Sequence, residues 1–337
     1  MLFPLLLLVT GCLATYDIVC DETAGRNRID GAIQEARSMA RNARDQIADL
    51  NKDTTKAAFK PLFRSSDVVT LGILYNGVIN IATSDLRITF YCKPDFIDLY
   101  QDGERTLWTD TAFTYVDTQG ATQSVPLFRV GAGDKPKPGL SGSSFTTIGY
   151  RHTFHTGDVG DFSNQRHIYV SKKRWDPPAN DGLDHRFLDT VNQDGLKEDY
   201  TALDRLKPLS ETVFHELMHA LGGTIQPNKG GSKINDAPIR PINNAKIYGY
   251  EQCVWMNQNR DETAAVAIGA TPLTRADCPT ILAKALYLQI QGKATYWSTG
   301  DVDRETLEPA GIPPPPESDN ERRAKRILRR IGITWFA

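Results

Sequence analysis

Three residues of the segment TVFHELMHALGG have the types and the spacing that could bind a metal ion and activate water. His215 and His219 are four positions apart, and Glu216 directly follows the first histidine. On a helix, positions i and i+4 lie on one face about 6 Å apart, so both imidazoles can reach one metal ion. Glu216 can then accept a proton from an attacking water. Ser210 is a suitable N-cap for this helix, and Gly222-Gly223 is a suitable stop.

A third metal ligand has to be found, because catalytic zinc usually has three protein ligands and a water. Asp236 is the nearest candidate, since it is the only acidic residue between the second histidine and Tyr250. The metzincin pattern is excluded, because it needs a histidine where this chain has Ile225. Glu251 and Glu262 remain as alternatives, and Glu262 is the stronger of these two because its surroundings favour a helix.

Apolar periodicity places this segment among further helices and a strand-rich region. Residues 29–50 have apolar positions at helical intervals, which predicts one long amphipathic helix. Residues 68–82 are nearly all apolar and fit a helix or a buried strand equally well. Residues 105–170 are rich in Thr, Val, Tyr and Phe and are broken by Gly and Pro, which indicates strands and loops. Residues 210–222 and 263–291 are predicted as helical, the latter interrupted by a Thr-Pro pair.

The chain begins with a short apolar stretch, MLFPLLLLVTGCLA, over residues 1–14. It is too short to span a bilayer and fits a secretory signal peptide cleaved near Ala14. A bacterial lipobox at Val9–Cys12 is a competing interpretation. The absence of basic residues before it argues against that interpretation. A buried strand or helix is the remaining alternative.

Export changes what the cysteines imply. Without Cys12, the chain retains Cys20, Cys92, Cys253 and Cys278, an even set in an oxidising compartment. Four cysteines allow three connectivities, and their proximity along the chain favours Cys20–Cys92 and Cys253–Cys278. No Cys-x-x-Cys pair is present, which argues against a cysteine zinc site.

The composition describes a globular chain with no polyanionic partner. The 337 residues are 40% hydrophobic and 24% charged, with a formal net charge of -2. Neither nucleic acid nor an anionic membrane is indicated by this balance. We expect a monomer that acts on a protein or peptide substrate and has no stable membrane association. We expect residues 311–337 to be a Pro-rich linker and a basic tail. The tail is either a solvated segment or docked terminal helix, or a site of dibasic processing.

The stretch from Thr212 to Leu288 resembles the deuterolysin and lysine-specific metallo-endopeptidase family, the aspzincins. That family has H-E-x-x-H followed by a Gly-Thr, an Asp zinc ligand and a Tyr-Gly. The matching residues here are Gly223-Thr224, Asp236 and Tyr248-Gly249. The family keeps these motifs within a few residues of one another, whereas this chain has insertions on both sides of the Asp. The alternatives for the third ligand therefore remain open.

The resemblance implies an α+β, zincin-like metalloprotease fold. We expect residues 15–310 to form it as two lobes, mainly helical around the active-site helix and with a smaller β-rich portion. The stretch HIYVSKKRW is a candidate for the edge strand along which an extended peptide substrate would lie.

The resemblance also implies a secreted zinc-dependent endopeptidase. One catalytic Zn²⁺ would be held by His215, His219 and Asp236, with Glu216 as general base. Tyr248 would help to stabilise the developing oxyanion, and the nearby Tyr250 is a second candidate for that role. The alternative function is a secreted, non-catalytic interaction or effector protein on the same scaffold, with a structural zinc or none.

Overall fold

The computed structural model describes most of the chain and mixes helices with several small sheets. It describes residues 16–127, 129–131, 136–140, 142–153, 159–197, 200–226, 231–236, 249–261, 271–288, 295–296 and 301–303. The helices within these ranges are α1 (Thr23–Ile47), α2 (Asp53–Phe59), α3 (Val68–Ile79), α4 (Lys172–Trp175), α5 (Leu188–Asp194), α6 (Leu209–Leu221), α7 (Tyr250–Asn259) and α8 (Asp277–Leu288).

The strands concentrate between α3 and α4, as the composition of residues 105–170 predicts. They are β1 (Tyr16–Val19), β2 (Arg87–Tyr91), β3 (Ile97–Asp102), β4 (Arg105–Asp110), β5 (Thr114–Val116), β6 (Thr122–Ser124), β7 (Arg129–Gly131), β8 (Phe145–Ile148), β9 (Arg151–Thr153), β10 (Val159–Asp161), β11 (Gln165–Tyr169), β12 (Tyr200–Ala202), β13 (Thr224–Gln226), β14 (Gly231–Ser232), β15 (Thr295–Tyr296) and β16 (Asp301–Asp303). The mixture of helices and strands is compatible with the α+β class.

The main sheet has the order β1-β2-β11-β8. The first three strands are parallel to one another, and β8 is antiparallel to β11. Among the described residues, β8 is therefore an edge strand, and it is the strand that packs against α6. A separate antiparallel sheet, β3-β4-β7, forms the β-rich portion beyond it.

The long helix α1 forms the centre of the core and confirms the amphipathic pattern. Its apolar residues recur every three or four positions, so one face is continuously buried. That face packs against α3, α6 and α8. The fully buried side chains on it are Ile29, Ala32, Ile33, Ala36, Met39, Ala40 and Ala43.

The ambiguous apolar run after residue 67 is the helix α3. Its residues Leu71, Tyr75 and Val78 are buried at helical intervals, whereas Val69 and Ile73 are 73% and 66% exposed. A strand would bury alternate residues instead, and the burial pattern shows no such alternation.

Two local expectations were wrong. The stretch HIYVSKKRW does not supply an edge strand, because β11 lies between β2 and β8 and all five of its residues are buried. Ser210 is not the N-cap of α6, which begins at Leu209 after Pro208. The Ser210 hydroxyl donates instead to the buried carboxylate of Glu35 on α1, so a tertiary contact replaces the local cap.

Both expected disulfides are confirmed. Cys20–Cys92 joins the end of β1 to the residue after β2, and Cys253–Cys278 joins α7 to α8. The second pair fixes the start of α8, whose first residue is Asp277, against α7. No helix among the described residues is both long enough and apolar enough to cross a membrane.

Candidate metal centre

Helix α6 presents His215 and His219 side by side, as their spacing predicts. Their Nε2 atoms are 3.1 Å apart, close enough to reach one ion together. The opposite face of the helix carries Val213 and Leu217, which are fully buried. Because that apolar face is packed in the core, the rotation of the helix is fixed and both imidazoles are presented on the same side.

Asp236 joins the two histidines. Its Oδ1 lies 3.5 Å from Nε2 of His215, and its Oδ2 lies 3.2 Å from Nε2 of His219. The three ligand atoms all lie within 4.8 Å of one another, and this is the one such group of metal-ligating side chains found among the described residues. The sequence-predicted ligand set is therefore brought together in space.

The inserted residues after α6 do not carry Asp236 away from the helix. Part of the insertion forms the antiparallel pair β13–β14. The amide of Lys233 then donates to the carbonyl of Gly223 at 2.9 Å, which returns the chain to the end of α6. Next to Asp236, the Asn235 amide donates to the Thr274 carbonyl at 3.0 Å. These backbone contacts explain how a ligand distant in sequence still reaches the histidines.

Each histidine is oriented through its other ring nitrogen. Nδ1 of His215 donates to Oδ1 of Asp277 at 2.6 Å, and Nδ1 of His219 donates to the carbonyl of Ile234 at 2.6 Å. With both Nδ1 atoms engaged, Nε2 is left as the coordinating nitrogen of each ring. Metal-ligating histidines almost always have such a partner, which fixes the tautomer and the ring direction.

Asp277 also ties the site to the start of α7. Its Oδ2 accepts the backbone amide of Gly249 at 2.7 Å, so one carboxylate serves an imidazole and an amide. Gly249 has a φ of 92°. That conformation favours glycine over residues with a Cβ. Asp277 is the first residue of α8 and directly precedes Cys278, whose disulfide with Cys253 holds this junction together.

The charges at the site favour a positive group between the carboxylates of Asp236 and Asp277. Burial opposes protonation of His215, but the neighbouring carboxylates of Asp277 and Asp236 outweigh it and raise the His215 pKa well above its usual value. Burial also opposes ionisation of Asp236, but the two histidines outweigh it and lower the Asp236 pKa. Metal binding requires an unprotonated imidazole, so a cation at this site must displace that proton.

The donor set fits zinc. Two imidazole nitrogens and one carboxylate oxygen are ligands that Zn²⁺ accepts, and three protein ligands leave a fourth position for water or substrate. No cysteine thiolate contributes, since Cys253 and Cys278 are joined in a disulfide. Among the residues that the structure describes, these ligands therefore match an open site with a free position rather than a closed four-ligand site.

Glu216 is held beside this cluster by the edge strand β8. Its side chain is only 4% exposed. The hydroxyl of Thr146 on β8 lies 2.7 Å from Oε2 of Glu216 and 3.1 Å from the Glu216 backbone carbonyl. The expected general base is thus buried next to His215, and the Thr146 hydroxyl is its hydrogen-bond partner.

A buried ion pair locks α6 against α8. The Nζ of Lys284 donates to Glu211 at 2.7 Å and to the carbonyls of Leu203 and Leu206 at 2.9 Å each. Lys207 also binds Glu211, at 2.8 Å. Although burial opposes its ionisation, the two lysines lower the pKa of Glu211 to about 2. Both helices that supply site residues are therefore joined one turn from the histidines.

The other predicted residues have different outcomes. Tyr248 and Glu262 lie outside the described residues, as do residues 1–14 and 311–337. Glu251 is described on α7, where it is exposed and does not belong to the metal-ligating group.

Sequence reasoning missed Asp277 and Thr146. Asp277 is 62 positions from His215 and Thr146 is 70 positions from Glu216, so no local pattern connects them. The only available indication was that Asp277 precedes a cysteine predicted to pair with Cys253.

Comparison of the chain with protein-family models, with curated proteins and with solved structures found no match.

Proposed function

We propose that the protein is a secreted zinc-dependent endopeptidase. The observation that carries this proposal is the convergence of His215, His219 and Asp236, with Glu216 buried beside them. A structural zinc site has no use for a carboxylate next to its ligands, so Glu216 favours catalysis over the non-catalytic alternative. The two disulfides and the apolar start of the chain support export.

His215, His219 and Asp236 would hold the ion. Zinc bound there would lower the pKa of water and polarise the scissile carbonyl. Glu216 would accept the proton of the attacking water and pass it to the leaving amine. The low exposure of Glu216 keeps bulk water from competing for that proton. Tyr248 remains the expected donor to the oxyanion, on the strength of its motif alone.

The edge strand β8 gives a place for the substrate. Its inner side pairs with β11, and no described strand is hydrogen-bonded to its outer side. An extended peptide can add to such an edge through backbone hydrogen bonds. Because Thr146 of this strand contacts Glu216, a peptide on the edge would lie close to the general base.

Hydrolysis of casein by the full-length protein tests the proposal. We expect activity that a chelator removes and added zinc restores. Asp236→Ala should lose zinc and activity, whereas Glu251→Ala and Glu262→Ala should keep both. A wild-type protein that binds one zinc per chain but hydrolyses no protein or peptide would contradict the enzyme function and favour the interaction protein. Loss of zinc in Glu262→Ala instead of Asp236→Ala would show that Glu262, and not Asp236, is the third ligand.

A further inference from the structure

Strand β8 carries two successive threonines whose hydroxyl groups point to opposite sides. The Thr146 hydroxyl meets Glu216 on α6, and the Thr147 hydroxyl donates to Asp110 at the end of β4. Successive side chains of a strand lie on opposite faces, so one short segment contacts the site with one residue and the β-rich portion with the next. The position of Thr146 therefore depends on what holds Thr147.

The group that holds Thr147 is a buried carboxylate with three donors. Asp110 is fully buried and accepts the Thr147 hydroxyl, Nδ1 of His167 at 2.8 Å and the amide of Ala112 at 3.0 Å. His167 belongs to β11, and its ring stacks on Phe113 with centroids 4.4 Å apart. A buried carboxylate is stable only when it is hydrogen-bonded in this way. Asp110 thereby joins β4, β8 and β11 at one point.

Glu216 has a long side chain whose direction a single neighbour can decide. Its χ1 and χ2 torsions each have alternative staggered rotamers, and its χ3 torsion is broad. Of these, the rotamer in the structure directs Oε2 to Thr146. A catalytic group must be held within about 0.5 Å of its productive position, and its supporting contacts provide that precision. The hydroxyl of Thr146 is such a contact, and its own strand is fixed from behind by Asp110.

We propose that Thr146 is a positioning residue for Glu216, and that the buried Asp110–His167 pair anchors the strand that presents it. The inference rests on the proposed function, because it assigns Glu216 the role of general base. It connects the β-rich portion to the site, although none of the described residues of that portion belongs to the metal-ligating group. Thr146 does not touch the reacting atoms and acts only through Glu216.

Substitutions at Thr146 test the contact. Thr146→Val keeps the branched shape and removes the hydroxyl, whereas Thr146→Ser keeps the hydroxyl. Since a hydrogen bond to a charged group is lost, we expect kcat on a peptide substrate to fall roughly 10- to 100-fold in Thr146→Val. KM and zinc content should stay near the wild-type values, and Thr146→Ser should restore most of the rate.

Thr55→Val is the matched control. Thr55 is a fully buried threonine on α2 whose hydroxyl donates to Oε1 of Gln46 on α1 at 3.3 Å, so the contact involves neither β8 nor Glu216. The substitution should leave kcat unchanged. A wild-type kcat in Thr146→Val, or an equal loss in Thr55→Val, would overturn the inference, as would a failure of Thr146→Ser to restore the rate.

Hydrogen exchange tests the anchoring of β8 without an activity assay. In Thr147→Val, the amides of β8 should exchange faster than in wild type while those of α6 stay protected, and Thr147→Ser should behave as wild type. Unchanged β8 exchange in Thr147→Val overturns the anchoring role. If the wild-type protein binds zinc but hydrolyses nothing, the proposed function fails and with it the role given to Thr146. The exchange result would then decide the structural coupling by itself.

Discussion

Replacing Asp277 by Asn should weaken zinc binding while leaving all three ligands in place. Asp277 accepts two hydrogen bonds, from Nδ1 of His215 at 2.6 Å and from the amide of Gly249 at 2.7 Å. An Asn side chain offers one acceptor oxygen and an NH₂ group in place of the second oxygen. One of the two donors must then face another donor, so either the ring of His215 or the amide of Gly249 loses its partner.

The expected loss of zinc affinity depends on the hydrogen bond by which the Asp277 carboxylate orients the His215 ring. Loss of such an outer partner typically weakens metal binding about 10- to 100-fold, or roughly 1.4 to 2.8 kcal/mol. The upper half of that range is expected here, because the Asp277 side chain is only 12% exposed and water cannot readily replace it. Competition with a chromogenic chelator at neutral pH measures the zinc dissociation constant directly.

Asp204→Asn is the control for this substitution. Asp204 accepts the next backbone amide, that of Tyr250, at 3.0 Å, whereas the hydrogen bond to Nδ1 of His215 belongs to Asp277. It therefore tests whether disturbing the start of α7 is enough to weaken the metal. Zinc binding in Asp277→Asn within threefold of wild type would refute the reasoning, and so would an equal loss in Asp204→Asn. Circular dichroism of both variants verifies that they are folded.

Three further substitutions or conditions test the surrounding structure. Lys284→Met removes one of the two lysines that pair with Glu211 and the Lys284 hydrogen bonds to the Leu203 and Leu206 carbonyls, so urea unfolding should show a loss of about 2–3 kcal/mol; a loss under about 1 kcal/mol would contradict the stabilising role of this ion pair. Because Glu211 has a pKa of about 2, against 4.5 ordinarily, its ionised form stabilises the fold above pH 4.5 and this contribution disappears as the pH falls to 2. The unfolding free energy should drop by roughly 3 kcal/mol across that window, and a flat profile would argue against it. Gly249→Ala places a Cβ 2.8 Å from Asp204 at a φ of 92°, so thermal unfolding should show a loss of about 1–3 kcal/mol, which an unchanged melting temperature would exclude.

The parts of the site that could be predicted are those encoded locally. The histidine pair depends on helical spacing, and the apolar positions around it predict the same helix, so both agree with the structure. Asp236 was the nearest candidate because it is the only acidic residue between His219 and Tyr250, and the structure brings it close to both histidines. The favoured cysteine pairing was also confirmed, since each disulfide joins two cysteines that follow one another in the order of the four cysteines.

The remaining features depend on tertiary contacts. Nothing near Ser210 in the sequence indicates that its hydroxyl binds Glu35, 175 positions away, instead of capping α6. The alternation in β11 resembles that of an edge strand, but Arg166 and His167 are buried there by specific partners, Ala220 and Asp110. Such pairings between distant elements leave no periodic pattern in either partner.

The most direct test of the central claim is the activity of Glu216→Gln with its zinc content measured on the same sample. The account predicts one zinc per chain, as in wild type, and a kcat on a peptide substrate lowered about 10²- to 10⁴-fold, the usual contribution of a general base. Glu251→Gln, on the exposed face of α7, should retain full activity. Wild-type kcat in a zinc-loaded Glu216→Gln protein would contradict the role of Glu216 and the mechanism built on it.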